Sequence, residues 1–114
     1  DYAAAVRTKE NWMRQMSKTF DQVDVMLTPT LPIDPPPHEE QRSLWAATKA
    51  VAQNTYNGAF AHIPGIAVPC GFSAAGFPVS MQLEAAWWKE PLLLRVAHAY
   101  QQVTDWHMRK PKLP

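Results

Sequence analysis

The sequence predicts an α/β fold with the element order α–β–α–β–β–α, forming one portion of a larger sheet. Three observations lead there. Apolar residues recur at three- and four-residue steps near both ends of the chain, as amphipathic helices require. Short apolar runs bounded by proline and glycine occupy the middle, as strands do. Two or three strands make a poor sheet alone, yet the first of them reads as a strand with neighbours on both sides. The sheet is therefore expected to continue in polypeptide outside these 114 residues.

Each element follows from local chemistry. Over 1–21, Tyr2, Val6, Met13, Met16 and Phe20 fall roughly on one stripe, with Arg7, Lys9, Glu10, Arg14 and Lys18 mostly elsewhere, which predicts a helix. "VDVMLTPT", 23–30, is a β-branched apolar run closed by Pro29, and its length suits a central strand buried on both faces, as in a parallel sheet. "LPIDPPPHEE" is a surface loop, because its prolines remove backbone donors and push the preceding residues out of the helical region.

Ser43 is positioned to cap a helix over 44–56, where Leu44, Trp45, Thr48, Val51 and Ala52 share a face. Asn57-Gly58 in "YNGAFAHIPG" is expected to break that helix with a turn. A strand over 65–70, a turn over 71–77 and a strand over 78–84 then form an antiparallel hairpin. "AAWWKE" leads to a last helix starting near Pro91, a residue suited to a first turn, with Leu93, Val96, Ala97, Tyr100 and Val103 as its apolar stripe. "RKPKLP" ends it.

Composition narrows the function classes. Eleven basic residues against ten acidic ones leave a net charge of +1, which gives no electrostatic case for nucleic acid. One cysteine excludes an internal disulfide framework. No apolar run nears the ~18 residues of a membrane helix, so no membrane partner is expected. The cytoplasm is taken as the expected location, though nothing in these residues addresses it.

The candidate sites read mostly as structure. Cys70 lies between Pro69 and Gly71 with nothing local to lower its pKa, and reads as a packed cysteine. His38, Glu39 and Glu40 are consecutive on a proline-rich loop and read as solvated. No HExxH or paired-cysteine spacing exists, so neither a metal nor another cofactor is expected. His98, Asp105 and His107 read as surface residues of the last helix. Ser73 in "GFSAAG" and Ser80 lack a neighbouring base, and "GFSAAG" lacks the Gly-Lys-Ser/Thr ending of a phosphate loop. Trp87 and Trp88 read as a cover over the sheet edge. Taken alone, the residues give a sheet-containing α/β piece without its own catalytic apparatus.

"PGIAVPCGFSAAGFPVSMQL" resembles the C-terminal segment of the amidase signature family, with its Pro-Ala/Gly-Ile-x-Val-Pro-x-Gly strand followed by Gly-Leu-Pro-Val-Gly-x-Gln. "FDQVDVMLTPTLP" is similar to that family's Asp-x-x-Leu-x-Pro-Thr strand, and "EPLLLRVAHAYQQ" to its closing helix. "DYAAAVRTKENWMRQM" is similar to the helix before the Pro-Thr strand. The resemblance implies a large α/β fold with a mixed central sheet that hydrolyses amide bonds through a Ser–cis-Ser–Lys triad. The triad motifs lie upstream of the matched segments, so no catalytic residue is assigned here.

By the same resemblance, Thr28, Thr30, Ala52, Thr55 and Phe60 are expected nearest the substrate pocket. The sequence departs from the family pattern at Ala59 and His62 (usually Asn-x-x-Gly), at Ser80 (usually glycine) and in "EAAWW". The apolar set Ala52, Ala59 and Phe60 favours a hydrophobic or aryl amide over an amino-acid amide. Residues 1–114 are thus expected to be a single C-terminal amidase fragment, inactive alone. Its expected partners are the N-terminal remainder, a small-molecule amide and, through exposed strand edges, copies of itself. Two alternatives stand beside this: a stand-alone binding or scaffold domain, and a small hydrolase using Cys70 or Ser73.

Overall fold

The computed structural model describes residues 1–36 and 44–111. The cap at Ser43 and the His38-Glu39-Glu40 cluster lie outside the described residues. The elements are α1 (Tyr2–Phe20), β1 (Met26–Pro29), α2 (Leu44–Val51), α3 (Tyr56–Ala61), β2 (Gly65–Phe72), β3 (Pro78–Glu84) and α4 (Glu90–Gln102), with a 3-10 turn over Trp106–Met108. The α/β class holds, but the order gains a helix, α3, where a turn was expected, and a final 3-10 turn that the sequence did not announce.

α1 starts where Asp1 accepts a hydrogen bond from the Ala3 backbone N–H at 3.1 Å, the usual service of an N-cap acid. Of its stripe, Met16 is buried, whereas Tyr2 and Val6 are exposed. α4 begins with Pro91 in its first turn, as expected. Its Leu93 and Ala97 are buried with Val96 and Tyr100 packed beside them, while Val103 caps the helix in the open.

The three strands lie in the order β1-β3-β2, and both pairings are antiparallel. The hairpin of β2 and β3 is as predicted. Within this chain β1 is a four-residue strand at the edge and β3 holds the centre, so any second neighbour of β1 would have to come from polypeptide outside these residues. α4 packs over β2 and β3 and leaves Leu27 63% exposed, so an apolar run here does not mean two buried faces.

Edge chemistry follows from register. The Thr30 N–H donates to the Ser80 carbonyl at 2.9 Å, so Met26, Thr28 and Thr30 bond inward and Leu27 and Pro29 point outward. The Ala85 N–H donates to the Pro64 carbonyl, which turns the odd positions of β3 towards β2. Gly65, Ala67 and Pro69 then face out on the other edge. Each edge therefore carries a proline, without an N–H, at an outward position.

The break between α2 and α3 is also corrected. It falls over 52–55, and Asn57-Gly58 sits inside α3 rather than in a turn. Gly58 is there for closeness: a Cβ on it would collide with Glu84 Oε1. Tertiary contact selects the glycine, and the helix accommodates it.

Two small cores result. Val68, Leu83, Ala85, Leu93 and Ala97 form one between the sheet and α4. Met16, Ala61 and Ile63 form the other, with Trp12, Met13 and Trp87 around them. The radius of gyration is 16.6 Å, against about 13 Å for a compact domain of this length. The accessible surface is 8630 Å², against roughly 6,300 Å² for a folded monomer of this mass. Both values describe a loosely packed chain, and the exposed side chains of Trp45, Trp88, Leu94 and Val103 show that apolar surface is left uncovered.

Candidate substrate wall

β3 has two chemically distinct faces because side chains alternate along a strand. Leu83 points into the α4 core, while Gln82 and Glu84 point to the side of α3 and are buried there. Gln82 Nε2 donates to Glu84 Oε1 at 2.9 Å and to the backbone carbonyl of Asn54 at 3.3 Å. Asn54 Nδ2 in turn donates to the Pro29 carbonyl at 2.7 Å. The turn over 52–55 is thereby tied to both β3 and the end of β1.

That turn is also held from within. Thr55 Oγ1 donates to the Ala52 carbonyl at 3.0 Å, and the same carbonyl accepts from the Thr55 and Tyr56 N–H groups. Opposite Gln82, across the strand pair, lies Thr28. The hydroxyls of Thr28 and Thr30 are both buried and have no hydrogen-bond partner among the described residues. Buried polar groups are normally paired, so two orphaned hydroxyls at i and i+2 stand out.

Burial pushes the Glu84 carboxyl above the usual carboxylate range, and the bond from Gln82 offsets part of this. No ion pair to Glu84 exists among the described residues. The arrangement is a polar lattice set into a sheet face. It offers hydroxyls and an acid–amide pair, but no nucleophile activated by a neighbouring base.

Of the predicted site residues, Thr28 and Thr30 lie at the end of β1, and the turn that carries Ala52 and Thr55 is tied there through Asn54. Phe60 stands apart. It lines a groove of about 720 Å³ between α1 and α3 with Trp12, Tyr56 and Ala59, where none of the other four appears. Trp12 Nε1 donates to the Asn57 carbonyl across this groove at 3.2 Å. Gln82 and Glu84 were missed by sequence reasoning. Their signal was present as two polar residues two apart, hence on one face, in an otherwise apolar strand.

The remaining candidates fall out as structure. Cys70 is the extra residue of a β-bulge, between the pairs Pro69–Ser80 and Gly71–Val79, with Sγ 3.7 Å from the Val79 carbonyl. Ser73 Oγ accepts from the Phe77 N–H, which closes the hairpin loop. His98 and His107 are exposed, and Asp105 pairs with Arg109. Among the described residues no group of histidine, cysteine, aspartate or glutamate is placed to hold a metal ion. Nor is any helix there long and apolar enough to cross a membrane. Trp87 covers Ala61, donating to its carbonyl at 3.1 Å, but Trp88 is 88% exposed and covers nothing, against expectation.

Known proteins agree with this architecture. The glutamyl-tRNA(Gln) amidotransferase A subunit of Roseiflexus sp. (strain RS-1) is 40% identical over 116 residues, covering 99% of this chain and 23% of that protein. The same protein of Gloeothece citriformis (strain PCC 7424) is 33% identical over 117 residues, with the same coverage. The chain thus spans less than a quarter of the length of these relatives. Among solved structures, 6-aminohexanoate cyclic dimer hydrolase complexed with substrate superposes with a TM-score of 0.87 at 22% identity, over 97% of this chain and 26% of that one. The Thermotoga maritima glutamyl-tRNA(Gln) amidotransferase protein of the same type gives 0.80 at 24%, over 89% and 22%. The pattern that defines the Amidase family matches residues 1–94. With its hairpin, its Pro-Thr strand and its closing helix arranged as in those enzymes, the chain belongs to the amidase family.

Proposed function

We propose that the chain is the C-terminal part of an amidase that hydrolyses carboxylic amide C–N bonds, and that it supplies sheet, outer helices and one wall of the substrate pocket. The observation that carries this is the pair of buried, unpartnered hydroxyls of Thr28 and Thr30 on the face tied to the 52–55 turn, in a chain of the amidase family. Both oxygens are closed to solvent as the strand lies, so an amide carbonyl or N–H reaches them only when the wall shifts, and Thr30 itself borders a cleft of about 430 Å³ with Pro29, Cys70 and Ser80. Asn54, in the turn between Ala52 and Thr55, donates to the Pro29 carbonyl beside them, and Phe60 contributes an apolar surface in the separate groove between α1 and α3.

The nucleophile and its activating lysine belong to the remainder of the enzyme, so the chain alone is inactive. Its excess apolar surface supports that reading. The apolar character of Ala52, Ala59 and Phe60 favours an aryl or hydrophobic amide over an amino-acid amide.

The test is an assay of the complete enzyme and of the isolated 114 residues on acetanilide-type and glutamine-type amides. The complete enzyme is expected to cleave the acetanilide faster. The isolated chain is expected to cleave neither and to self-associate in light scattering. Faster glutamine cleavage overturns the substrate class. An isolated chain that is monodisperse and unfolds cooperatively overturns the reading of it as part of an enzyme and favours a stand-alone binding domain.

A further inference from the structure

Glu84 stands out as an acid 4% exposed in the central strand, facing a glycine rather than a cation. A carboxyl group is costly to bury, and an apolar side chain of similar size in its place is often neutral or stabilising. Its presence calls for something other than stability. Its contacts are specific: Oε1 accepts from Gln82 Nε2, whose second N–H reaches the Asn54 carbonyl. Asn54 closes the chain of bonds on Pro29, between Thr28 and Thr30. On its other side the carboxyl lies against the bare backbone of Gly58, so carboxyl and α3 are fitted to each other.

We propose that Glu84 is a positioning residue for the substrate wall: by fixing the rotamer of Gln82 it sets the separation between the Thr28–Thr30 strand end and the Ala52–Thr55 turn. Glu84 itself does not touch the substrate. The role rests on the amidase reading above, because the wall it positions is the substrate wall of that reading. An amide NH₂ offers two donors in one plane. With Glu84 holding one of them, the other is aimed at Asn54; without an acceptor at 84, Gln82 is free to rotate and the turn loses its tie to β3.

The experiment compares wild type, Glu84→Gln and Glu84→Met in the complete enzyme, with an acetanilide as substrate. The glutamine variant keeps an acceptor oxygen and fills the same volume; the methionine variant fills the volume without an acceptor. For Glu84→Met, KM is expected to rise about tenfold with kcat within about twofold and Tm unchanged or higher, as for loss of one hydrogen bond to a ground-state binding wall. Glu84→Gln is expected to retain wild-type KM. A Glu84→Met enzyme with wild-type KM overturns the proposal. So does one in which Tm falls and KM stays fixed, since that marks a merely structural carboxyl.

If the wild-type enzyme cleaves no amide offered, the amidase reading fails by itself. The positioning role is then decided by crystal structures of wild type and Glu84→Met. Loss of the Asn54–Pro29 hydrogen bond and displacement of the 52–55 turn sustain it, and an unmoved turn overturns it.

Discussion

The two faces of β3 are built from alternate residues of one strand, yet they obey different rules. On the α4 side, Leu83 meets Val68, Leu93 and Ala97, and any apolar set of the right volume serves there. On the α3 side, Gln82 is held by directional bonds to Glu84 and to the Asn54 carbonyl, and Glu84 lies in close contact with Gly58, so geometry matters there as well as volume. The first face holds the chain together. The second fixes where the wall stands. Stability and positioning are thus separated by a single step along the strand, and each can be perturbed while the other is watched.

The largest effect is expected on the apolar face. Leu83→Ala removes a side chain 1% exposed and leaves a cavity, for a loss of about 2–5 kcal/mol in urea unfolding of the complete enzyme. A loss under ~1 kcal/mol there would show that the core is not what holds β3.

Next comes Gly58→Ala. In an ordinary helix that change gains up to ~1 kcal/mol, but here the new methyl displaces the Glu84 carboxyl from Gln82, and a loss of about 1–3 kcal/mol is expected. The same change in a Glu84→Ala background is expected to be neutral or stabilising, so the double-mutant cycle reads the contact directly. Additivity of the two changes would break the comparison between the faces.

The smallest effect is in pH. The Glu84 carboxyl titrates higher folded than unfolded, so the folded chain binds its proton more tightly. Its contribution is fully present below the ordinary glutamate value and is lost as pH rises towards the raised folded value. Wild-type stability relative to Glu84→Gln is therefore expected to decline across that window and then level off. A flat difference would mean that the carboxyl is solvated, and that the α3 face is less closed than Gly58 implies.

What was legible in the sequence divides along the same line. The β2–β3 hairpin, the buried half of α1 and the stripe of α4 were readable because period and turn chemistry are local signals. The exposure of Leu27 was not, since "VDVMLTPT" looks the same whether its second face is covered or open within this chain. Asn57-Gly58 misled for a related reason. The pair favours turns by local rules, but Gly58 answers to a carboxyl 26 positions away in the chain. Thr28, Thr30, Ala52 and Thr55 came from a resemblance in strand motifs, and the polar lattice that links them through Gln82 came only from three-dimensional placement.

The prolines on the two outer strands have a further consequence. Pro29 and Pro69 each leave a gap in an otherwise regular row of donors, at one fixed outward position. Any strand laid alongside meets that missing donor and forms one hydrogen bond fewer there, whatever its register. The margins of this sheet are thus poorer templates for a stray strand than their length suggests.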